Sequence, residues 1–399
     1  MVISKKIHAP TNAVSIMYSK SAIHRKFHWL SEPAFEGHRL TSFSGLVGFQ
    51  ALFAKLNLKG LLKESFRYLK VSPIFGHSVM IMMLVVHLLL GYRRLRDLRY
   101  YQDDPLVGRV LRPTRLLDVA TLSRTLSGME HRSANQTCSM VRRMLSERLA
   151  CFGLKRITVD FDGSVLSTGR FAVGTAVGFN RKGHRSYYSL YCTIAQTGQV
   201  FDVWHRAGNV RDGNCAAAFM RAWLRELRRR LGPGVVLEVR ADSAFFSDEI
   251  ITVLGEAGVE FALSVPFERF AELKHLIENR KRWRRINDQC CFFEHWWAPK
   301  SWGYRYRFIF TRSRSVQRHK VPFQLDLFQP AETCNDYQIV IRTKSLSAKK
   351  IARFYHGRGA QEALFAELKS QIQMDYVPIR PGAEPVTAYL SCRPFWPTT

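Results

Sequence analysis

The sequence predicts an α/β protein in which a helical N-terminal part precedes a mixed sheet with flanking helices. Apolar residues recur every three or four positions from Gly45 to about Leu149, and the period changes to two at Arg156. Strand-like and helical stretches alternate after that point. With 399 residues and a 46% hydrophobic composition, the chain is long enough for two or three domains with buried cores.

The charge of the chain points to its partner. The sequence has 60 Lys and Arg against 32 Asp and Glu, which gives a formal net charge of +28. Folding does not require such an excess, and no single amphipathic basic helix stands out, so we expect nucleic acid rather than a membrane as the partner. Residues 1–20 lack the apolar core of a signal peptide, and the apolar run from Val79 to Leu90 is too short to cross a bilayer. We therefore expect a cytoplasmic protein in which this run is a buried helix.

The N-terminal part divides into two predicted regions. Residues 1–45 are polar and are expected to form an arm, and residues 46–150 are expected to form a helical DNA-binding domain. Within that domain, residues 116–129 fit either a helix-turn-helix that presents Arg124 to DNA or a plain surface helix. The pattern leaves both interpretations open.

A second domain is predicted to begin near residue 151. Residues 156–162 alternate between apolar and polar side chains, as in a strand, and further strands are predicted at 187–195 and 199–205. A helix at 214–231, a strand at 235–240, a helix at 247–255 and a strand at 261–265 follow. This order is the ribonuclease H-like plan, so we expect residues 151–266 to form the first part of such a core.

Residues 267–337 are predicted to form a β-rich insertion in this core. Its first part, residues 267–320, has fourteen Lys and Arg against five Asp and Glu, interleaved with six Trp and Tyr. Basic residues among aromatic ones suit DNA binding and base stacking. A small subdomain with a tryptophan core is the alternative, but it leaves the charge unexplained.

Two aspartates are predicted to share one rim of the sheet. Asp162 and Asp242 each stand at the end of a predicted strand, where a side chain can project toward a ligand. If the two strands are neighbours, both carboxylates meet, and their like charges repel unless a cation lies between them. Oxygen ligands of this kind favour Mg²⁺ or Mn²⁺. Asp160 lies on the same strand face and is the alternative to Asp162.

The segment from Ile351 to Ile372 is predicted to be a helix that supplies a third acid. Four residues, spaced by three, four and seven positions, lie within about 60° of arc on one face: Tyr355, Arg358, Glu362 and Lys369. A neighbouring apolar face can pack on the sheet and consists of Phe354, Phe365, Leu368 and Ile372. A solvated face of paired charges is the alternative, and two glycines, Gly357 and Gly359, weaken the first turn.

At these residues the chain resembles bacterial insertion-sequence transposases of the IS-four and IS-thirteen-eighty kind. The family motif Tyr-x2-Arg-x3-Glu-x6-Lys is similar to YHGRGAQEALFAELK, and DFDGS and VRADSAF resemble the motifs around the first and second aspartates of the family. The resemblance covers about residues 40–380. It implies two Mg²⁺ or Mn²⁺ ions held by Asp162, Asp242 and Glu362, metal-dependent cleavage and joining of DNA strands, and a homodimer that holds two element ends.

The resemblance also implies roles for residues around the acids. Three would contact DNA phosphates near the cleaved bond: Tyr355, Arg358 and Lys369. One of three tryptophans would stack a flipped base at the element end: Trp296, Trp297 or Trp302. Residues 338–380 would complete the core with the catalytic helix.

Residues 381–399 depart from the family. They contain four prolines and no helical period, whereas the family continues through further helices. We interpret them as the product of a frameshift or truncation near residue 380. The alternative function is therefore a catalytically defective or regulatory DNA-binding derivative of a transposase.

Overall fold

The fold was examined in a computed structural model that describes residues 41–69, 76–111, 117–127, 131–168, 174–178, 180, 182–317 and 332–371. Within these residues, helices come first, up to residue 151, and a nine-stranded mixed sheet with flanking helices follows. The predicted α/β class is therefore confirmed. Most of the predicted N-terminal arm and all of the 381–399 tail lie outside the described residues.

The helices before the sheet pack around their own apolar cluster. They are α1 (Leu46–Lys55), α2 (Leu58–Ser65), α3 (His77–Leu89), a 3₁₀ turn (Leu95–Tyr100), α4 (Pro105–Leu111), α5 (Val119–Ser127) and α6 (His131–Cys151). The predicted buried helix is α3, in which Met83 and Val86 are fully buried. One of its buried polar side chains, His87, is paired through Nδ1 with the Tyr101 hydroxyl at 2.7 Å. No helix among the described residues is both long and apolar enough to cross a membrane.

The first five strands follow the predicted order. They are β1 (Arg156–Ser167), β2 (Ser186–Ile194), β3 (Gln199–Trp204), β4 (Val236–Ala241) and β5 (Glu260–Ser264), with α7 (Ala216–Leu231) before β4 and α8 (Asp248–Glu256) after it. In the sheet they stand in the order β3-β2-β1-β4-β5. β1 is antiparallel to β2 and parallel to β4, which in turn is parallel to β5. The parallel pair β1–β4 is the centre of this arrangement.

The strands of the predicted insertion extend the same sheet. After α9 (Ala271–Glu278) come β6 (Arg284–Arg285), β7 (Cys290–Trp297), β8 (Tyr306–Gln317) and β9 (Glu332–Arg342). β9 pairs antiparallel with β5, and β8, β7 and β6 continue outward from it. The core under them is aromatic, with Phe293 and Phe310 stacked at a centroid distance of 4.3 Å.

The expected end of β1 at Asp162 is wrong. The strand continues to Ser167 because its antiparallel partner β2 continues to pair, from Asp162 with Tyr191 to Ser167 with Ser186. On its other side, β1 loses its partner earlier, because β4 ends at Ala241 opposite Phe161. Asp162 therefore lies one residue beyond the end of the parallel ladder.

The expected continuous helix from residue 351 to residue 372 is also wrong. The chain forms α10 (Ala348–His356), a 3₁₀ turn (Gly357–Gly359) and α11 (Ala360–Ser370), and residue 372 lies outside the described residues. At the break, Gly357 packs closely against Arg240, since a Cβ on Gly357 would lie 2.3 Å from Nη1 of Arg240. That guanidinium donates a 2.7 Å hydrogen bond to the carbonyl of Phe354.

The sheet is anchored beside Asp162 by aromatic packing. Phe161 points into the core, where its ring meets Trp223 and Phe219 of α7 edge-on at centroid distances of 5.6 and 6.0 Å. All three side chains are at most 1% exposed. Truncating one such buried ring typically costs about 3–5 kcal/mol, so the backbone that carries Asp162 is held firmly.

We expect the Asp202 carboxyl of β3 to make stability depend on pH. Burial raises the pKa of Asp202 to about 6, although Arg142 lies 3.3 Å away. The folded state therefore holds this proton more tightly than the unfolded chain, in which aspartate titrates near about 4. Relative to Asp202→Asn, the wild type should gain unfolding free energy, on the order of 3 kcal/mol, as the pH falls from about 6 to about 4. Urea denaturation of both proteins at several pH values checks this, and a pH-independent difference would contradict it.

Candidate active site

Two aspartates meet where the β1–β4 ladder ends. Phe161 and Ala241 are the last paired residues, so Asp162 and Asp242 occupy the next position on neighbouring parallel strands. Oδ1 of Asp162 accepts a hydrogen bond from the Gly163 amide at 2.8 Å, and Oδ1 of Asp242 accepts one from the Ala244 amide at 2.9 Å. These local bonds fix both carboxylates at the rim.

The rim is a place where negative charge is costly. Burial raises the pKa of Asp162, Arg358 lowers it, and the neighbouring charge of Asp242 raises it again, so that the pKa lies above its ordinary value. Burial also raises the pKa of Asp242, against the lowering effect of the Ala244 amide and of Arg358. Both acids therefore favour a cation beside them.

In this structure that cation is Arg358. Its Nη1 donates a hydrogen bond of 2.9 Å to Oδ2 of Asp162. Burial alone would lower the pKa of Arg358, but Asp162, with further contributions from Tyr355 and Asp242, outweighs burial and raises it. The guanidinium is thus shared electrostatically by both carboxylates.

Tyr355 lies beneath this ion pair. Its side chain is 6% exposed, and its hydroxyl lies near Ser264 at the end of β5 and near Arg358. Burial raises the pKa of the phenol, so the hydroxyl keeps its proton near neutral pH. Tyr355 is therefore a neutral, buried neighbour of the guanidinium.

Glu362 is not gathered with the other two acids. It lies exposed in the first turn of α11, and Lys369 lies near the end of that helix. The 3₁₀ turn at Gly357–Gly359, which contains Arg358, changes the helical phase before Glu362, so the spacing of one continuous helix does not apply. Within the described ranges, no three His, Cys, Asp or Glu side chains lie close enough together to hold a metal ion. The expected apolar contact does form, because Phe365 packs on Tyr191 of β2 at a centroid distance of 4.9 Å.

Asp160, the alternative first acid, is committed elsewhere. It is 2% exposed, and its two oxygens accept hydrogen bonds from Nε and Nη2 of Arg240 at 2.6 and 2.7 Å. This bidentate pair lies inside the protein, one pleat below the rim. Of the two candidates, Asp162 is the one at the rim.

Sequence reasoning assigned no role to a third aspartate at the rim, Asp212. Its Oδ2 accepts a 2.6 Å hydrogen bond from the Tyr188 hydroxyl, and it interacts electrostatically with both Asp162 and Asp242. The loop that carries it is held by Arg206, whose Nη1 donates to three carbonyls, those of Arg211, Asp212 and Asn214. An aspartate beside a glycine in a polar loop reads as a turn former, and only the fold of the loop brings it back to β1.

The three candidate tryptophans have different surroundings. Trp296 is 59% exposed on β7, opposite Arg307 of β8. Trp297 is 8% exposed and donates a 2.9 Å hydrogen bond to Glu272, and Trp302 packs on Phe246 at a centroid distance of 4.9 Å.

The candidate DNA-binding helix is α5. Arg124 is exposed there, and it bonds weakly back to Ala120 and Thr121 of its own helix. The neighbouring Ser123 is 6% exposed and faces inward. Only Arg124 of this pair is therefore available at the surface.

Comparison with known families identifies the chain. Residues 31–383 match the family described as Transposase DDE domain group 1. The chain belongs to this family. DDE transposases generally use divalent metal ions, and the name of the family refers to two aspartates and a glutamate. The match does not separate the IS-four from the IS-thirteen-eighty kind.

Solved transposase structures are similar to the chain at low identity. A piggyBac transposase synaptic complex with hairpin DNA shares 12% identity at a TM-score of 0.40, covering 81% of this chain and 68% of that one. A pre-cleavage Mos1 transpososome shares 9% identity at a TM-score of 0.20, covering 49% of this chain and 60% of that one. No curated protein matches the chain.

We expect Gly163→Ala to disturb the rim. A Cβ at this position would lie 2.1 Å from Oδ1 of Asp212 and 2.6 Å from the Tyr188 ring. The crowding should lower the free energy of unfolding by about 1–3 kcal/mol. Gly234→Ala is the control, because nothing lies within 4 Å of its Cβ. Urea denaturation of the two variants measures the difference, and equal stabilities would contradict the close approach of Asp212.

Proposed function

We propose that this chain is an insertion-sequence transposase that binds element ends and catalyses metal-dependent strand cleavage and strand transfer. The observation that carries the proposal is the pair Asp162 and Asp242, adjacent at the end of the β1–β4 ladder and sharing one cation, Arg358. The order β3-β2-β1-β4-β5, with helices between β3, β4 and β5, supports the assignment of a ribonuclease H-like core. Family membership supports the reaction class.

The donor set at the rim fits a hard divalent cation. Carboxylate oxygens are the ligands that Mg²⁺ and Mn²⁺ prefer, and the raised pKa values of Asp162 and Asp242 show that positive charge is favoured beside them. Asp162, Asp242 and Glu362 would hold the ions. When bound, such ions activate water or a 3′-hydroxyl and stabilise the leaving oxygen of the phosphodiester.

The residues around the acids suit a DNA phosphate. Arg358 presents a planar guanidinium that binds phosphate as well as carboxylate. When DNA is bound, this guanidinium can leave the Asp162 carboxylate and bind a phosphate oxygen instead. This exchange would free the Asp162 carboxylate. Tyr355 lies beside the guanidinium, and Lys369 adds a point charge on α11. The fixed charge of Asp212 adds to the negative field that attracts a cation.

Of the three candidate tryptophans, Trp296 is the most exposed. Its ring is mainly exposed on a strand that pairs with the arginine-bearing β8, whereas Trp297 would have to leave the core and break its bond to Glu272. We propose that Trp296 stacks a base at the element end. The exposed Arg124 of α5 is proposed as a DNA contact, and a homodimer as the form that holds two ends.

We expect each of three substitutions to abolish strand cleavage: Asp162→Ala, Asp242→Ala and Glu362→Ala. The losses should exceed about 100-fold, because each removes charge that would hold the ion. Cleavage of labelled DNA that carries the element ends, with Mg²⁺ or with EDTA, measures this. Glu367→Ala is the matched control, since Glu367 is an exposed acid of the same helix α11.

A second function is favoured by one observation. Glu362 lies exposed and away from the other acids, which is also what a catalytically defective, regulatory DNA-binding derivative would show. Salt-sensitive binding of the wild type to end DNA, without cleavage in Mg²⁺ or Mn²⁺, would establish this second function and exclude the first.

We also expect Trp296→Ala to weaken binding to DNA ends with an unpaired terminal base. The loss should be about 1–3 kcal/mol, with little change in thermal stability, because the ring is exposed. Trp297→Ala should instead destabilise the fold, because that ring packs on Phe270 and Phe308. Fluorescence of a 2-aminopurine at the end base reports the stacking. An unchanged signal in Trp296→Ala would remove this residue from the interface.

A further inference from the structure

A buried ion pair lies directly under the candidate site. Asp160 of β1 and Arg240 of β4 face each other in the parallel ladder, and each stands two residues before a rim aspartate. Their side chains are 2% and 7% exposed, and both oxygens of Asp160 are used by the guanidinium. Removing one partner of such a pair leaves a buried charge unpaired, but replacing both partners with apolar residues often stabilises a core. Stability alone therefore does not explain why a protein has this buried ion pair.

The third nitrogen of the guanidinium connects the strands to the segment that carries Arg358 and Glu362. Nη1 of Arg240 donates a 2.7 Å hydrogen bond to the carbonyl of Phe354, in the last turn of α10. Carbonyls there lack partners within the helix, and a cation at a helix C-terminus is favourable. The guanidinium also lies over the Phe354 ring, 5.2 Å from its centroid. Arg240 therefore binds the C-terminal end of α10 through the carbonyl and the ring of Phe354.

Two further contacts fix the turn that follows. Gly357 passes so close to Arg240 that a Cβ would lie 2.3 Å from Nη1. Gln361, 3% exposed in α11, donates a 3.2 Å hydrogen bond from Nε2 to the backbone carbonyl of Asp160. The 3₁₀ turn is thus bounded on both sides by contacts to the same two residues of the sheet. Arg358 lies within this turn, and Glu362 directly follows Gln361.

We propose that Asp160 and Arg240 are positioning residues, which set where Arg358 and Glu362 stand relative to Asp162 and Asp242. Both side chains are buried below the rim, so their role would not require contact with DNA or metal. They act by joining β1, β4 and α10 through the Arg240 guanidinium, and α11 through the backbone carbonyl of Asp160, so that the acids of the sheet and the residues of the helical segment keep a fixed spacing. This inference rests on the proposed function, because the spacing matters only if these residues share one reaction.

The sharpest test compares two glycines of the same turn. Both Gly357 and Gly359 have helical backbone angles that alanine adopts freely. Gly357→Ala places a methyl group against Arg240, whereas Gly359→Ala meets nothing within 4 Å. Neither variant removes a charge, so neither leaves a buried ion unpaired.

A second pair of variants covers the case in which Gly357→Ala does not fold. Arg240→Lys keeps the positive charge beside Asp160 but cannot hold Asp160 and the Phe354 carbonyl together. Its control is Glu238→Gln, which removes a buried charge from the same strand at the end away from the rim. There, Glu238 accepts hydrogen bonds of 2.6 Å from both Arg156 and Thr158.

Three quantities are measured for each variant: the single-turnover rate of end cleavage, the affinity for end DNA, and amide hydrogen exchange over residues 354–362. We expect Gly357→Ala and Arg240→Lys to slow cleavage on the order of 100-fold, with unchanged DNA affinity and faster exchange confined to this segment. Gly359→Ala should behave as the wild type. Glu238→Gln should lower thermal stability without slowing cleavage by the folded protein.

The results separate the inference from the function on which it rests. Wild-type cleavage rates in Gly357→Ala and Arg240→Lys would overturn the positioning role while the proposed function stands. An equal loss of cleavage in Glu238→Gln would overturn it as well, since the effect would then follow from stability alone. If the wild type cuts no end DNA in Mg²⁺ or Mn²⁺, the proposed function fails first and the positioning role fails with it.

Discussion

The parallel pairing of β1 with β4 is the constraint on which the rest of the candidate site depends. Parallel neighbours place residues of equal register side by side, and the ladder from Arg156–Val236 to Phe161–Ala241 therefore brings Asp162 beside Asp242. The same register places Asp160 beside Arg240 one pleat lower. The rim carboxylates and the buried pair beneath them follow from a single alignment of two strands, and a shift of one residue would separate both pairs.

The acidic groups at the rim of the sheet are held in place by neighbouring hydrogen bonds and charges. The chain carries +28 overall, yet Asp162, Asp212 and Asp242 interact with one another at one rim. Like charges in a half-buried place are costly, and the protein offsets that cost with local amide bonds and with Arg358. A site that favours a cation, in a chain with a formal net charge of +28, is consistent with the proposed reaction at a phosphodiester.

The sequence was sufficient for the elements with a clear period. β2 to β5, α7 and α8 lie within a few residues of their predicted bounds, because alternation and amphipathic spacing depend on neighbours in sequence. The sequence did not predict features that depend on contacts between residues far apart in the chain. The end of β1 depends on how far β2 pairs with it, and the contact of Gly357 with Arg240 joins residues more than 100 positions apart in the sequence.

The site shows the same division. The positions of Asp162 and Asp242 at one rim follow from the strand pattern, and Arg358 and Tyr355 reach that rim from the helical segment. The location of Glu362 was not predicted, because the prediction assumed one continuous helix. The 3₁₀ turn interrupts that helix and changes the direction in which Glu362 points. Asp212 gave no signal in the sequence, since its proximity to Asp162 arises only when Arg206 folds its loop.

The central claim is that Asp162 and Asp242 hold a divalent ion where Arg358 now compensates their charge. Anomalous X-ray scattering from Mn²⁺ in crystals of the protein with its end DNA tests this most directly. The account predicts a manganese peak bonded to oxygens of both aspartates, with the Arg358 guanidinium moved from Asp162 to a DNA phosphate. Manganese bound elsewhere, with the Arg358–Asp162 ion pair intact in the DNA complex, would contradict it.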